Sequence, residues 1–357
     1  MIISRILAAT LLLAGLASAE IRFRNSQDQS AEALRSGDAR RLAETILLYQ
    51  RDIGGWPKNY DRDANLSDKD KQKLRTEKNK RDTTFDNGTT HRELQFLARM
   101  HRATGEDLYK EAFIRGLSFT LEAQYENGGW PQFYPGAKGY KKYVTFNDGA
   151  MVGILTLLRE IVKDTEAYAL VDKTTRQRCS TALQKGIQCI LECQLEVDGK
   201  KLAWCAQHDE KTFEPRKARS YELPSVSGGE SSGIVRFLMG VEEPTPEIVA
   251  SIKAAVAWFE ASQLEGIRLV TKKDPALPNG RDKVIVKDPT ASPLWARFYE
   301  IGTNKPIYCS RDGIPKDTLA EISYERRNGY SWLGNYGATL LEKDYPRWMK
   351  RLSAKSN

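Results

Sequence analysis

Apolar positions recur at helical spacing through most of the chain, and breaks rich in Gly, Pro and Trp interrupt them at intervals. Over residues 30–50 the apolar positions Leu42, Ile46 and Leu47 predict a helix, broken near Gly37 and stopped by Gly54-Gly55-Trp56-Pro57. The same reading predicts helices over 88–103, with Gly105 as the stop, then over 107–124, 151–163 and 173–194. Further helices are expected from about 230 to 239, over 245–261 with Pro246 in the first turn, over 292–301, and over 336–352. Residues 66–81 are dense in Lys, Asp and Glu and read as a solvated excursion with a turn of helix. Residues 269–288 read as loop or extended chain, and Val197-Asp198-Gly199-Lys200 as a tight turn.

Repetition organises these elements. Trp56, Trp130 and Trp204 recur 74 residues apart. Each follows a helix that ends in glutamine (Gln50, Gln124, Gln194), and Gln263 ends a fourth such helix. Few strands are predicted. The expected fold is mainly α: an α/α toroid, an incomplete barrel of the (α/α)3 type with alternating inner and outer helices, long irregular loops and few short strands. A superhelical solenoid is the alternative.

One polar stretch also returns. Thr84-Phe85-Asp86-Asn87-Gly88 precedes one helix, and Thr145-Phe146-Asn147-Asp148-Gly149, with Asp and Asn exchanged, precedes another. Either stretch could be a helix N-cap, since Asp and Asn are preferred there. If equivalent loops of a ring meet at one end, Asp86, Asn87, Asn147, Asp148 and Glu230 converge, and such oxygen donors suit a hard divalent cation. Arg216, Lys217 and Arg219 cluster, and they and Arg311 offer cations for carboxylates, the arginines bidentately. Trp56, Tyr60, Trp130, Tyr134 and Tyr140 offer faces on which sugar rings could stack.

The first nineteen residues read as an export signal, with Arg5, an apolar run over 6–16 and Ala17-Ser18-Ala19 before the cleavage point. The expected organisation is a signal peptide over 1–19 and one catalytic domain over 20–357, secreted or periplasmic, with no membrane span. The formal charge of +8 favours an acidic partner, and an exported chain points to an acidic polymer rather than nucleic acid. Five cysteines without paired spacing and three histidines argue against structural zinc. Cys189 and Cys193 read as packed thiols, and a Cys193–Cys205 bridge is compatible with export.

Taken together, Gly54-Gly55-Trp56-Pro57-Lys58, the two polar stretches, Gly128-Gly129-Trp130-Pro131-Gln132, Gln207-His208-Asp209, Ala218-Arg219-Ser220-Tyr221-Glu222-Leu223-Pro224-Ser225, Arg311-Asp312-Gly313 and residues 330–336 resemble polysaccharide lyase family 10, the pectate lyases with an α/α toroid. The resemblance runs in one order through nearly all of the chain after the signal. It implies cleavage of polygalacturonate by β-elimination with Ca2+ as cofactor, by a protein expected to be monomeric. It implies Arg219 as the base at C5, Asp86, Asn87 and Asp148 as the cation-binding cluster, and Arg311 as a carboxylate holder. Lys58, Tyr221, Trp56, Trp130 and Tyr134 are expected on the substrate path. Residues 66–81 match no motif of the family.

Two rivals use the same residues. A glycoside hydrolase would employ Asp86 and Asp148, or Glu230, as acid and base. A carbohydrate-binding protein would use the Trp, Tyr and Arg surface without catalysis.

Overall fold

The computed structural model describes residues 21–164 and 166–356. The export signal expected over 1–19 lies outside them. The helices in chain order are α1 (Gly37–Tyr49), α2 (Asp68–Thr76), α3 (His91–Thr104), α4 (Asp107–Glu122), α5 (Ala150–Lys163), α6 (Lys173–Glu192), α7 (Gly228–Met239), α8 (Pro246–Ala261), α9 (Tyr324–Gly329) and α10 (Tyr345–Ser356). Local chemistry sets several boundaries. Ser36 caps α1 by accepting from the Ala39 N–H, Thr245 caps α8 ahead of Pro246, and Gly105 ends α3 at φ 75°. The charged excursion carries α2, capped by Ser67 and Asp70.

Helices α3, α5 and α7 pack side by side as an inner row, and α4, α6 and α8 as an outer row, each inner helix pairing with the outer helix after it. This is the α/α toroid. Among the described residues the strands form six separate two-stranded pairs, and only the hairpin Ile267–Lys273/Arg281–Lys287 exceeds two residues per strand.

The tryptophan period has a physical cause. The Trp56 indole donates to the Ile46 carbonyl at 2.8 Å, Trp130 to Thr120 at 2.8 Å, Trp204 to Ile190 at 2.7 Å, and Trp295 to Phe259 at 2.9 Å. Each ring thus folds back on the last turns of the helix that precedes it and donates to a carbonyl there. The glutamines tie each outer unit to the next. Gln50 donates to Gly54 and Ala112, Gln124 to Gly128 and Ala182, and Gln194 to Leu202 and Ser251, at 2.8–3.0 Å. Glycine is required where these turns cross the next helix. A Cβ on Gly54 would lie 2.4 Å from the Arg115 carbonyl oxygen, and one on Gly128 would lie 2.1 Å from that of Lys185.

Two expectations change. Residues 292–301 are extended, not helical. Trp295–Ala296 pairs with Leu333–Gly334, and Phe298–Tyr299 pairs with Val226–Ser227. Tertiary pairing overrides local propensity there, and Trp295 becomes a fourth bracket, with the hairpin inserted ahead of it. In this fourth unit the Ser262 carbonyl accepts from the Tyr299 hydroxyl at 2.7 Å. All five cysteines are buried free thiols, so Cys193 and Cys205 are not bridged; Cys193 packs beside Cys189.

Candidate active site

The loops before the inner helices are stitched into a ring by backbone bonds. Thr84, Thr145 and Ser227 N–H groups donate to the carbonyls of Trp56, Trp130 and Trp204. Phe85, Phe146 and Gly228 N–H groups donate to Gln132, Ala206 and Arg297, the residues two after the next tryptophan. Two rotationally repeated positions therefore line one end of the ring: the residue at Trp+2 (Lys58, Gln132, Ala206, Arg297) and the turn opening each inner helix.

Those turns are not caps. Asp86–Gly88 and Asn147–Gly149 are single turns in which the second residue is left-handed, Asn87 at φ 54° and Asp148 at φ 51°. Asn and Asp tolerate this region better than most residues. The N-cap of α3 is Thr90 and that of α5 is Gly149, and neither helix start receives a side-chain cap bond. The capping explanation for Asp86, Asn87 and Asp148 is therefore overturned.

A cleft of about 260 Å³ is lined by Lys58, Asp86, Asn87, Gln132, Tyr140, Asn147, Asp148, Gln207, Ala218, Arg219, Glu222, Arg297 and Tyr330. Asp86 is fully buried, and neither of its carboxylate oxygens accepts a hydrogen bond of ordinary geometry; the Lys58 ammonium rests against Oδ2. Buried carboxylate oxygens without donors are costly and mark a place that expects a ligand. Burial holds the Asp148 carboxyl above its ordinary range; Arg297 opposes this, and the Glu230 and Asp86 carboxylates add to it. Asn147 Nδ2 donates to Asp148 Oδ2 at 2.7 Å. Glu230, in the first turn of α7, accepts from the Ser227 hydroxyl and from Arg297 at 2.8 Å. Among the described residues no three His, Cys, Asp or Glu side chains are close enough to grip a metal on their own. The oxygen donors present still fit a hard cation whose shell is finished by a ligand's oxygens.

The opposite wall belongs to Arg219. Its Nε donates to Glu222 Oε2 at 2.8 Å, its NH2 group donates to Oε1, and its backbone N–H also reaches Oε2. The Tyr330 hydroxyl donates to Glu222 Oε1 at 2.7 Å. The Glu222 hydrogen bond pushes the Arg219 guanidinium above its ordinary range. Burial works to raise the Glu222 carboxyl, but Arg219 and Tyr330 overcome it and hold the group low.

Other expected site residues lie elsewhere. Trp56 and Trp130 are buried behind the rim with their N–H groups bonded, so they brace the ring and offer no face to a sugar. Tyr60 is buried too, its hydroxyl donating to Glu93. Tyr221 is buried with the Arg219, Arg311 and Arg326 guanidinium groups over its ring at 4.6–5.8 Å. Tyr134 is half-buried with its ring edge against Phe119 and does not line the cleft, whereas Tyr140 does. Arg311 is exposed, paired with Glu325 at 3.0 Å, and just outside the cleft.

Arg297 was not foreseen. It is nearly buried, meets Glu230, Asn147 at 3.3 Å and Asp148 at 3.5 Å, and lies 4.8 Å over the Tyr330 ring. Burial alone would lower its pKa, but Glu230, Tyr330 and Asp148 raise it. The signal was available: Trp295-Ala296-Arg297 repeats the offset of Trp56-Pro57-Lys58.

Residues 50–341 match the family model for pectic acid lyase. The chain is similar to a family 10 polysaccharide lyase from Cellvibrio cellulosa, at 34% identity over 92% of this chain and 95% of that one, with a TM-score of 0.75. It is equally similar to a mutant form of that lyase in complex with trigalacturonic acid, at 34% identity over 91% and 95% of the two chains, with a TM-score of 0.76. No curated protein matches the chain significantly. A chain that covers 95% of these relatives at 34% identity and matches the family model over residues 50–341 belongs to the pectic acid lyases of polysaccharide lyase family 10.

Proposed function

We propose that this lyase is an exported monomer that cleaves α-1,4-linked polygalacturonate by β-elimination, with Arg219 as base and Ca2+ as cofactor. The observation that carries the reading is the pairing of unlike walls: the buried, donor-poor Asp86 carboxylate with Asp148 on one side, and a partly exposed arginine on the other. Asp86, Asn87 and Asp148 would hold the cation. Bound there, it would neutralise a uronate carboxylate and favour the charge that builds as the C5 proton leaves.

Arg219 takes the proton from C5. The electron pair of that C–H bond forms the C4–C5 double bond, the C4–O bond breaks, and the departing oxygen takes a proton from solvent. The products are a shortened chain and a 4,5-unsaturated oligogalacturonide. Lys58 and Arg311 answer neighbouring uronate carboxylates, and Arg297 bridges Glu230 and Asp148 and screens their repulsion. Because Glu222 favours the charged form of Arg219, the neutral base is scarce and activity rises towards alkaline pH.

The test is digestion of polygalacturonate followed by ultraviolet absorbance, with and without a calcium chelator. New absorbance that the chelator abolishes supports the reading. Reducing ends without absorbance would assign a hydrolase, and binding without either would assign a carbohydrate-binding protein.

A further inference from the structure

The hairpin ahead of Trp295 carries an unbalanced charge. Its strands, Ile267–Lys273 and Arg281–Lys287, pair in register, so Lys273 faces Arg281, Thr271 faces Lys283, Leu269 faces Ile285 and Ile267 faces Lys287. Directly paired residues share a face, and alternate pairs share the same one. That face holds four cations and no carboxylate. Leu269 and Ile285 pack it against the core. The two acids of the hairpin and the Asp288 that follows it are all engaged: Asp282 with Arg327 at 2.7 Å, Asp288 with Arg268 at 3.1 Å, and Asp274 with the Ala276 N–H in the turn. Lys272, Lys273, Arg281 and Lys287 are exposed and have no carboxylate partner among the described residues.

The hairpin is continuous with the cleft. Lys283 Nζ donates to the carbonyl of Tyr330, whose ring borders Arg219 and Arg297. The Tyr324 hydroxyl donates to the Arg281 carbonyl at 2.8 Å and accepts from the Asn279 N–H. Tyr324 opens α9, whose next residue, Glu325, holds Arg311. A cationic path thus leads from Arg219 past Arg311 to Arg281 and Lys273. The cleft, at about 260 Å³, is below the range usual for a drug-sized ligand, so a polymer seated in it continues beyond it.

We propose that the Ile267–Lys287 hairpin is an outlying track that binds polyuronate chain leaving the cleft, giving the enzyme a preference for long substrate. This rests on the polygalacturonate reading above. The test is the triple variant Lys273→Ala/Arg281→Ala/Lys287→Ala, assayed on polygalacturonate and on trigalacturonate. KM for the polymer is expected to rise roughly 3- to 10-fold, the effect of a few exposed charge contacts. Its salt dependence becomes shallower, while kcat and the trimer KM stay unchanged. An unchanged polymer KM, or a trimer KM that rises in step, would overturn the inference.

Affinity electrophoresis through polygalacturonate separates this idea from the enzymatic one. Retardation that the triple variant loses, in a protein that yields no unsaturated product, would retain the track and reject the lyase reading. Retardation that the variant keeps, or equal retardation by double-stranded DNA, would reject the track.

Discussion

The two walls of the cleft are built differently. The carboxylate wall comes from repetition. Asp86, Asn87, Asn147, Asp148 and Glu230 stand on equivalent turns, held by backbone bonds to the Trp brackets. Within it the Asp86 carboxylate oxygens are left without a hydrogen-bond donor. The arginine wall comes from irregular chain. Arg219, Glu222 and Tyr330 belong to no repeat, and each is fixed by the others' side chains. Repetition thus supplies positions at low cost in uniqueness and leaves the side chains free to face a ligand. The irregular segments supply one fully supported cation. A wall that waits and a wall that is set have different mutational signatures.

The largest effect is expected at Arg219. Arg219→Lys keeps the charge but loses the bidentate hold of Glu222, and kcat should fall by about 10²–10⁴. Binding of trigalacturonate, followed by calorimetry, should persist; loss of both together would make Arg219 a binding residue and blur the contrast between the walls.

On the other wall, Asp86→Ala should lower kcat/KM on the order of 10²-fold while the melting temperature holds or rises. It removes a buried carboxylate that no hydrogen bond supports. A parallel fall of activity and melting temperature would show that Asp86 is structural. A smaller loss, roughly tenfold, is expected for Glu222→Gln, with a shift in the pH profile. Glu222 favours charged Arg219, so its loss lowers the Arg219 pKa and moves the rising limb of kcat/KM to lower pH. An unshifted limb would detach that limb from Arg219.

Behind the rim, Trp56→Phe should leave kcat unchanged and cost about 1–3 kcal/mol in chemical denaturation, because the smaller ring leaves a void in the core and the Ile46 carbonyl keeps only the Gln50 N–H. Any sugar-stacking role would appear instead as a raised KM. The smallest effect is near the hairpin turn. Arg327 holds the Asp282 carboxyl down to about 2, with Asn328 assisting. A depressed carboxyl stabilises the fold above its unfolded pKa, and that support is lost as pH falls towards 2. Asp282→Asn should therefore destabilise at neutral pH, by at most about 1 kcal/mol for a largely solvent-screened pair, and make no difference near pH 2.

Much of this was legible in the chain. Helical spacing located the inner and outer rows, and the Trp and Gln periods located the turns that join them. The exchanged Asp-Asn and Asn-Asp pairs marked the carboxylate wall, because a left-handed second position restricts which residues can stand there. Two things misled. Tryptophans beside a polar motif suggested sugar platforms, although the repeated Trp serves a helix carbonyl in every unit. Residues 292–301 suggested a helix, and this hid Trp295 and therefore Arg297.

By itself, then, the sequence determined the alternation of helices, the turn conformations and the family, since these follow from spacing and from residues with narrow backbone preferences. Only the tertiary structure decided which side chains face the cleft. Exposure, the Arg297–Glu230 ion pair and the support of Glu222 by Tyr330 depend on segments 62–108 residues apart meeting in space. No local pattern encodes such meetings.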